Sequence, residues 1–201
     1  QAGTPVLILS VQGGLSGAKN GSTHQSSGQT GAILTMPGMA CEEPACGQDI
    51  IEACNHALFR KGPTYLRLQK LPVPWSFLGT RRRHGCERIF YWQDADMTIV
   101  TSGMLVYEAY QACLKMIKEK KLKCNLISIS SLSDCTEVAS WILPNIPLHI
   151  YYNGNPDILA SVVCQDICLT KSRPSHIFKY GFQIGKTGSV SELLRHFKLD
   201  A

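Results

Sequence analysis

Apolar positions in the first part of the chain alternate between the spacing of strands and that of helices. Val6 to Val11 is a short apolar run closed by glycines, which is typical of a buried strand. Asp49 to Arg60 has apolar residues on one helical face, an acidic start and a basic end. Thr64 to Leu68 returns to the strand pattern. A helix beginning within Ser27 to Met36 and a weaker strand at Met39 to Glu43 complete a β, loop, α, β, α, β order.

The alternation of strands and helices resumes after residue 95. Strands are predicted at Met97 to Thr101, Cys124 to Ile129, Leu148 to Tyr152 and His176 to Phe182. Helices are predicted at Leu105 to Lys118, Ser133 to Leu143, Ile158 to Cys168 and Ser189 to Phe197. The second of these helices is expected to begin with a capping box of Asp134 and Glu137, and the last with Ser189 and Glu192. Because strands separated by helices need crossover connections, a mostly parallel sheet covered on both faces is expected.

Periodicity disappears between Lys70 and Asp94. The prolines of Leu71-Pro72-Val73-Pro74 remove backbone donors, which ends any central strand, and Arg81-Arg82-Arg83 makes the connection polar. We therefore assign residues 72–94 to an interdomain linker, 1–71 to a first unit and 95–201 to a second. The predicted fold class is α/β, with two small three-layer units and mostly parallel sheets.

Composition excludes several classes of function. The chain has 201 residues, 44% of them apolar, and a mild formal charge of +5. Its basic clusters, Arg81 to Arg83 and Lys118 to Lys123, lack the interleaved aromatic residues of a nucleic-acid reader, so no nucleic-acid partner is expected. No apolar run approaches the roughly 20 residues of a membrane span. The first residues lack the regions of a signal peptide, so a cytoplasmic protein without a membrane partner is expected.

The cysteines indicate reduced thiols. There are nine, scattered without a Cys-x-x-Cys pair, whereas zinc sites and disulfide frameworks need tighter or more regular spacing. No metal ligands are predicted in this chain, and mostly buried thiols in a reducing compartment are expected.

A histidine lies on a loop beyond the first predicted strand. Gly13 to Gly17 is a glycine-rich turn, and Gly21-Ser22-Thr23-His24-Gln25 follows it. Open α/β sheets bind ligands at this edge, and a histidine there donates, accepts or carries a proton near neutral pH. The alternative is a histidine that only hydrogen-bonds its own turn, which is the commoner role for an isolated loop histidine.

Three segments resemble the transketolase family of thiamine-diphosphate enzymes. Gly17 to Gln25 is similar to the G-E-D-G-P-T-H-Q loop of the family's pyrimidine-binding domain. Gly62 to Pro74 is similar to the G-P-V-Y-x-R-L-G-R segment that closes that domain, and Asp96 to Gly103 to the D-V-T-I-x-x-x-G segment that opens the C-terminal domain. The resemblance implies that this chain holds the later part of the pyrimidine-binding domain and the whole C-terminal domain.

The resemblance assigns roles to five residues. His24 matches the histidine that faces the thiazolium ring, and is the implied catalytic and cofactor-binding residue. Gln25 is its implied cofactor-binding neighbour, a position whose role is more often loop structure. Asn20 stands where the family has an aspartate that contacts a substrate hydroxyl, and Lys70 where it has an arginine that helps to bind a sugar phosphate; lysine keeps the charge without the bidentate geometry. Arg67 is implied in substrate binding too, with an ion pair under the linker as the alternative.

The resemblance also shows which family features have no match in this sequence. These are the Gly-Asp-Gly motif for the diphosphate and its Mg or Ca ion, and the glutamate that activates the cofactor. Glu42 and Glu43 lie beyond the histidine loop and are interpreted as structural. The family's E-E-H-S loop is replaced by Tyr151 to Asp157, so no role of that loop is transferred.

The implied function is the C-terminal portion of a transketolase-like transferase, which moves a two-carbon ketol unit between sugar phosphates in pentose phosphate metabolism. Thiamine diphosphate is the implied cofactor. The chain is expected to be inactive alone and to work as a homodimer, or as a heteromer with a chain that carries the diphosphate-binding domain. Two alternatives remain: a non-catalytic scaffold subunit that keeps the fold, and a β-type subunit of a 2-oxo acid dehydrogenase.

Overall fold

The first sheet is small and parallel. The computed structural model describes residues 4–73, 85–170, 172–183 and 185–201. Three strands form this sheet in the order β1-β3-β2, namely β1 (Leu7–Ser10), β2 (Ala40–Glu42) and β3 (Thr64–Arg67). Two helices connect them, α1 (Gln29–Leu34) and α2 (Gly47–Phe59). The predicted order of elements before residue 71 is therefore observed.

The second sheet has five strands in the order β4-β6-β5-β7-β8. They are β4 (Cys86–Phe90), β5 (Met97–Ser102), β6 (Cys124–Ile129), β7 (Leu148–Tyr151) and β8 (Ile177–Tyr180). All neighbours are parallel except β4 and β6. The helices are α3 (Leu105–Lys115), α4 (Val138–Trp141), α5 (Pro156–Cys168) and α6 (Val190–His196). The predicted α/β class with mostly parallel sheets is confirmed.

Strand β4 was not predicted, because its segment lies in the stretch assigned to the linker. Its side chains do not alternate cleanly, and a register shift between Arg88 and Phe90 interrupts its pairing with β6. An edge strand takes its hydrogen bonds from its neighbour, so its own apolar pattern is a weak signal. Residues 74–84 of the predicted linker, with Arg81 to Arg83, lie outside the described residues.

The helix predicted over Ser133 to Leu143 is wrong in extent. Only the four residues of α4 are helical, and Glu137, not Asp134, immediately precedes them. The preceding segment bonds to β2 instead, since Leu132 N–H donates to the Cys41 carbonyl (2.9 Å) and Cys41 N–H donates to the Ser133 hydroxyl (2.7 Å). The capping box predicted at Ser189 and Glu192 is present at the start of α6.

One apolar core continues from the first sheet into the second. Cys41 and Tyr65, from β2 and β3, belong to the same buried cluster as Ile127, Ile150 and Tyr152 from the second unit. The Glu42–Ser131 backbone bridge continues this contact at the strand end. Strands β2 and β3 are therefore held directly by the C-terminal unit.

Strand β1 is exposed, although its apolar sequence predicted burial. It pairs only with β3 among the described residues, and Val6, Leu7, Ile8 and Leu9 are 39–58% exposed. Parallel sheets are usually covered on both faces. The strand prediction is confirmed and the burial prediction is wrong for the described residues.

Candidate active-site loop and anion cleft

The glycine-rich turn folds into two consecutive 3-10 turns, Gly14–Asn20 and Ser22–His24, beyond the carboxyl end of β1. Gly14 has a φ of 58°, and a Cβ there would lie 2.4 Å from the Asn153 carbonyl oxygen. A Cβ at Gly17 would lie 2.7 Å from the His24 carbonyl oxygen. Only glycine permits these two backbone approaches, which fold the turn tightly against its surroundings.

The structure places His24 at the exposed end of this loop. Its backbone N–H donates to the Gly21 carbonyl (3.1 Å), and its Nδ1 lies 3.1 Å from the Thr23 hydroxyl. The residue is exposed to solvent at the carboxyl edge of the first sheet. A ligand that reaches this edge therefore has direct access to the imidazole.

Gln25 is buried, in contrast to the histidine beside it. Its Nε2 donates to the carbonyls of Ala18 (3.1 Å) and Lys186 (2.6 Å), and its Oε1 accepts from Lys186 N–H (3.0 Å). These three bonds occupy the whole amide group and hold the loop in place. Loop structure is also the commoner role of the family position that Gln25 matches.

Asn20 and Lys70 line one cleft of about 260 Å³ between the ends of β1 and β3. Gln12 and Lys19 line it as well, and Asn20 Nδ2 donates to Gln12 Oε1 (3.3 Å). Gln12 has a φ of 64°, a left-handed conformation that is costly for a residue with a side chain and is often found at functional sites. The structure thus brings two of the predicted substrate-binding residues together, and adds two that the sequence did not single out.

Arg67 does not line that cleft; it is buried, 6% exposed. Its guanidinium donates to the Glu43 carboxylate (3.1 Å) and to the Asn153 carbonyl (2.8 Å), and lies 3.4 Å from the Ser26 carbonyl oxygen. Burial alone would lower the pKa of Arg67, but the Glu43 carboxylate and neighbouring groups outweigh it, so the pKa is raised. Arg67 thus forms a buried ion pair with Glu43, and its role in substrate binding stays a prediction.

Glu43 is the centre of a buried polar network. Besides Arg67, its carboxylate accepts hydrogen bonds from the hydroxyls of Thr30 (3.0 Å), Tyr152 (2.6 Å) and Ser102 (2.9 Å). Burial, followed by the charge of Glu43, raises the pKa of Tyr152 well above its ordinary value. Four side chains thus donate to one buried carboxylate, and such hydrogen bonding offsets part of the cost of placing it in a core.

Asn153 connects this network to the glycine-rich turn. Its Oδ1 accepts from Leu15 N–H (2.9 Å) and its Nδ2 donates to the Gly13 carbonyl (3.2 Å). No local pattern indicated this role, because Asn153 lies 138 positions from Leu15 and its turn differs from the family's loop.

Metal sites, disulfides and membrane-spanning helices are not found in the described part of the chain. Its residues contain no group of three or more histidine, cysteine, aspartate or glutamate side chains arranged to hold a metal ion. None of the nine cysteines, all of which lie in the described ranges, forms a disulfide, and six are buried. No helix among these residues is long and apolar enough to cross a membrane.

The fold is that of the later part of a transketolase. The transketolase of Leishmania mexicana superposes with a TM-score of 0.80 and 18% identity, over 98% of this chain and 28% of that one. The transketolase of Pichia stipitis in complex with sedoheptulose 7-phosphate gives 0.80 and 19%, over 98% of this chain and 28% of that one. A split-gene transketolase, solved as an inactive β4 tetramer, gives 0.75 and 19%, over 97% of this chain and 63% of that one.

Two curated relatives agree with this class. The chain is 29% identical over 128 residues to an apulose-4-phosphate transketolase subunit of Phocaeicola vulgatus, a match that covers 63% of this chain and 41% of the relative. It is 27% identical over 111 residues to the 6-deoxy-6-sulfo-D-fructose transketolase subunit SqwH of a Clostridium species, covering 55% and 34%. No family model matches the chain. The resemblance to a C-terminal part of the transketolase family is confirmed, and the chain spans less than half the length of these curated relatives.

Proposed function

We propose that this chain is the C-terminal portion of a transketolase-like transferase, which moves a two-carbon ketol unit between sugar phosphates when joined to the domains that bind the cofactor's diphosphate. The observation that carries the proposal is the pair of 3-10 turns at the carboxyl edge of the first sheet. They present the exposed ring of His24 and the side chain of Asn20 on one tightly held loop. Ligands of open α/β sheets bind at this edge.

The cleft beside the loop supports an anionic sugar as substrate. Lys19 and Lys70 line it, and none of the described residues that line it is a carboxylate, so its charge favours a phosphate-like group. Asn20 and Gln12 supply amide groups for sugar hydroxyls. The two curated relatives are named for a sugar phosphate and a sulfonated sugar, which supports an anionic substrate for this chain too.

Thiamine diphosphate, when bound, supplies the stabilised carbanion that ketol transfer needs. Of this chain's residues, His24 fits a position beside it, because its ring is exposed and its backbone is held. The imidazole would donate to or accept from the reacting oxygen atoms. Gln25 would keep the loop in place, since its amide is already occupied by three hydrogen bonds. We assign the Mg or Ca ligands and the activating glutamate to the companion domains.

An assembly is the second part of the proposal. The exposed apolar strand β1 has an open edge in the described chain, and edges of this kind accept a further strand. We propose that a strand from the companion domains covers it, in a homodimer or a heteromer. Both curated relatives are transketolase subunits, and one structural neighbour is a split-gene protein, which supports a multi-subunit organisation. The cysteines of the described residues form no disulfide, which fits a reducing compartment, and the cytoplasm is the proposed location.

The test is ketol transfer by the native assembly, purified from its source and assayed with sugar phosphates and thiamine diphosphate. Changing His24→Ala is expected to lower kcat/KM by roughly 100-fold or more, the usual size of a lost acid–base group. His176→Ala is the matched control, because His176 is also exposed but precedes β8, at the amino edge of the second sheet. Equal activity in the two variants would contradict a catalytic role for His24. A native assembly without any diphosphate-binding companion would contradict the enzyme proposal and favour the non-catalytic scaffold.

A further inference from the structure

One loop of the C-terminal unit lies directly against residues 21–27, which contain His24 and are named the histidine loop. We name Gln183 and residues 185–188 the backing loop. The Ser27 hydroxyl donates to the Gln183 carbonyl (2.6 Å), and the Gln25 amide exchanges two hydrogen bonds with the Lys186 backbone, at 2.6 and 3.0 Å. A Cβ at Gly21 would lie 3.3 Å from the Thr187 hydroxyl. The backing loop therefore touches the histidine loop on both sides of His24.

The Gln25 amide has a single orientation that satisfies these contacts. Both of its donors point at carbonyls, those of Ala18 and Lys186, and its acceptor faces the Lys186 N–H. The residue is 4% exposed, so water cannot replace a lost partner without rearrangement. One side chain thus joins the first 3-10 turn, the residue after His24 and the backing loop.

The fit between Gln25 and the backing loop leaves no room for a side chain at Gly185. A Cβ there would lie 2.0 Å from Gln25 Oε1 and 2.9 Å from its Cδ. Space alone therefore favours glycine at this position. On the other side, the His24 carbonyl lies against Gly17, where a Cβ would be 2.7 Å away. The backbone of His24 is therefore held from two directions.

We propose that Gln25 is a positioning residue for His24, and that the backing loop is the surface through which the C-terminal unit sets the direction of the imidazole. The inference rests on the proposed function, in which His24 acts on the bound substrate. A small displacement of a reacting group lowers turnover without removing the contacts that bind the substrate. Gln25 then acts through His24 and touches neither cofactor nor sugar.

The test compares Gly185→Ala, Gln25→Ala and the double variant in the native assembly. Each single variant is expected to lower kcat about 10-fold or more with KM within about twofold, because neither substitution removes a side chain that lines the cleft. The double variant should stay within about twofold of Gln25→Ala alone, since the added methyl group no longer meets the amide and only the Cβ atom of residue 25, 3.0 Å away, remains beside it. Gly28→Ala is the control, because no atom of the described residues lies within 4 Å of a Cβ at that position.

A second measurement reports on His24 independently of turnover. Diethyl pyrocarbonate modifies accessible imidazoles, and peptide mass spectrometry separates the rate at His24 from that at exposed His196, the internal reference. His24 is already exposed, so its rate depends on how the loop holds the ring; loosening the loop should change this rate by about threefold or more and leave the His196 rate unchanged. If Gly185→Ala and Gln25→Ala do not yield folded protein, Ser27→Ala removes only the Gln183 contact and should change the His24 rate more mildly.

The kinetic and labelling results together distinguish failure of the positioning role from failure of the proposed function. Unchanged kcat and unchanged His24 labelling in both single variants would overturn the positioning role, and so would additive effects in the double variant. Altered labelling in an assembly whose wild-type form shows no ketol transfer would sustain the positioning role and reject the proposed function.

Discussion

The hydroxyl of Tyr152 donates to the carboxylate of Glu43 across 2.6 Å, and both side chains are fully buried. Glu43 follows β2 of the first sheet, and Tyr152 follows β7 of the second. The Arg67 guanidinium, bound to the same carboxylate, also donates to the Asn153 carbonyl. The Glu43 carboxylate therefore joins the two sheets, and the Arg67 and Asn153 contacts extend this link to the glycine-rich turn.

Changing Tyr152→Phe should destabilise the protein by about 1–3 kcal/mol, because Glu43 loses a donor in a site closed to water. Urea unfolding at neutral pH measures the change. Tyr91→Phe is the control: Tyr91 is only partly buried, and its ring keeps the Arg88 guanidinium 4.7 Å from its centre. A Tyr152→Phe effect no larger than that of the control would show that the hydrogen bond contributes little.

Changing Arg67→Met should cost about 3–5 kcal/mol, since it leaves the Glu43 carboxylate buried without its counter-charge. The double variant Arg67→Met/Glu43→Gln should lose clearly less unfolding free energy than the sum of the two single variants, because the neutral amide of glutamine needs no cation beside it. Denaturant unfolding of the four proteins gives the coupling. The ion pair of Lys179 and Asp157, with side chains 46% and 56% exposed, is the contrast, and breaking it should cost less than about 1 kcal/mol.

The stability of the fold should fall in alkali partly through Cys41. Burial, followed by the charge of Glu43, raises the pKa of this thiol far above its ordinary value. Its contribution is fully present below the unfolded pKa of about 8.5 and is lost as the pH rises further, because only the unfolded chain then releases the proton. The loss approaches about 1.4 kcal/mol per pH unit for this one group.

The measurement for Cys41 is the unfolding free energy at about pH 7.5 and about pH 10, on either side of the unfolded pKa, for the wild type and Cys41→Ala. The variant should lose less stability over this interval. The other buried thiols and tyrosines are present in both proteins and cancel in the comparison. Equal losses would mean that Cys41 ionises as readily in the native protein as in the unfolded chain.

Three glycine-to-alanine changes should form a graded series. Gly14 combines a φ of 58° with a Cβ position 2.4 Å from the Asn153 carbonyl oxygen, Gly38 has a φ of 77° in open space, and Gly28 has neither constraint. Gly38→Ala should cost about 1–2 kcal/mol from backbone strain alone. Gly14→Ala should exceed it and Gly28→Ala should fall below it in thermal unfolding. Equal effects at positions 14 and 38 would show that the turn moves away from Asn153 at no cost.

Local patterns predicted most of the elements correctly. Strand β6 and helix α6, with its capping box, follow from periodicity and cap chemistry, which act over a few neighbouring residues. The prediction failed for β4 and for the extent of α4. In both places a distant strand supplies the hydrogen bonds, β6 for the first and β2 for the segment before the second.

Neighbouring residues were enough to specify the α/β class, the element order and the loop that carries His24, because spacing, glycine turns and a family motif are all local features of the chain. The surroundings of that loop follow from tertiary contacts. Contacts within the first sheet paired Arg67 with Glu43 and brought Lys70 beside Gln12, Lys19 and Asn20, and the packing of the two sheets set Lys186 against Gln25. These partners are up to 161 positions apart, and no local pattern encodes a contact at such separation.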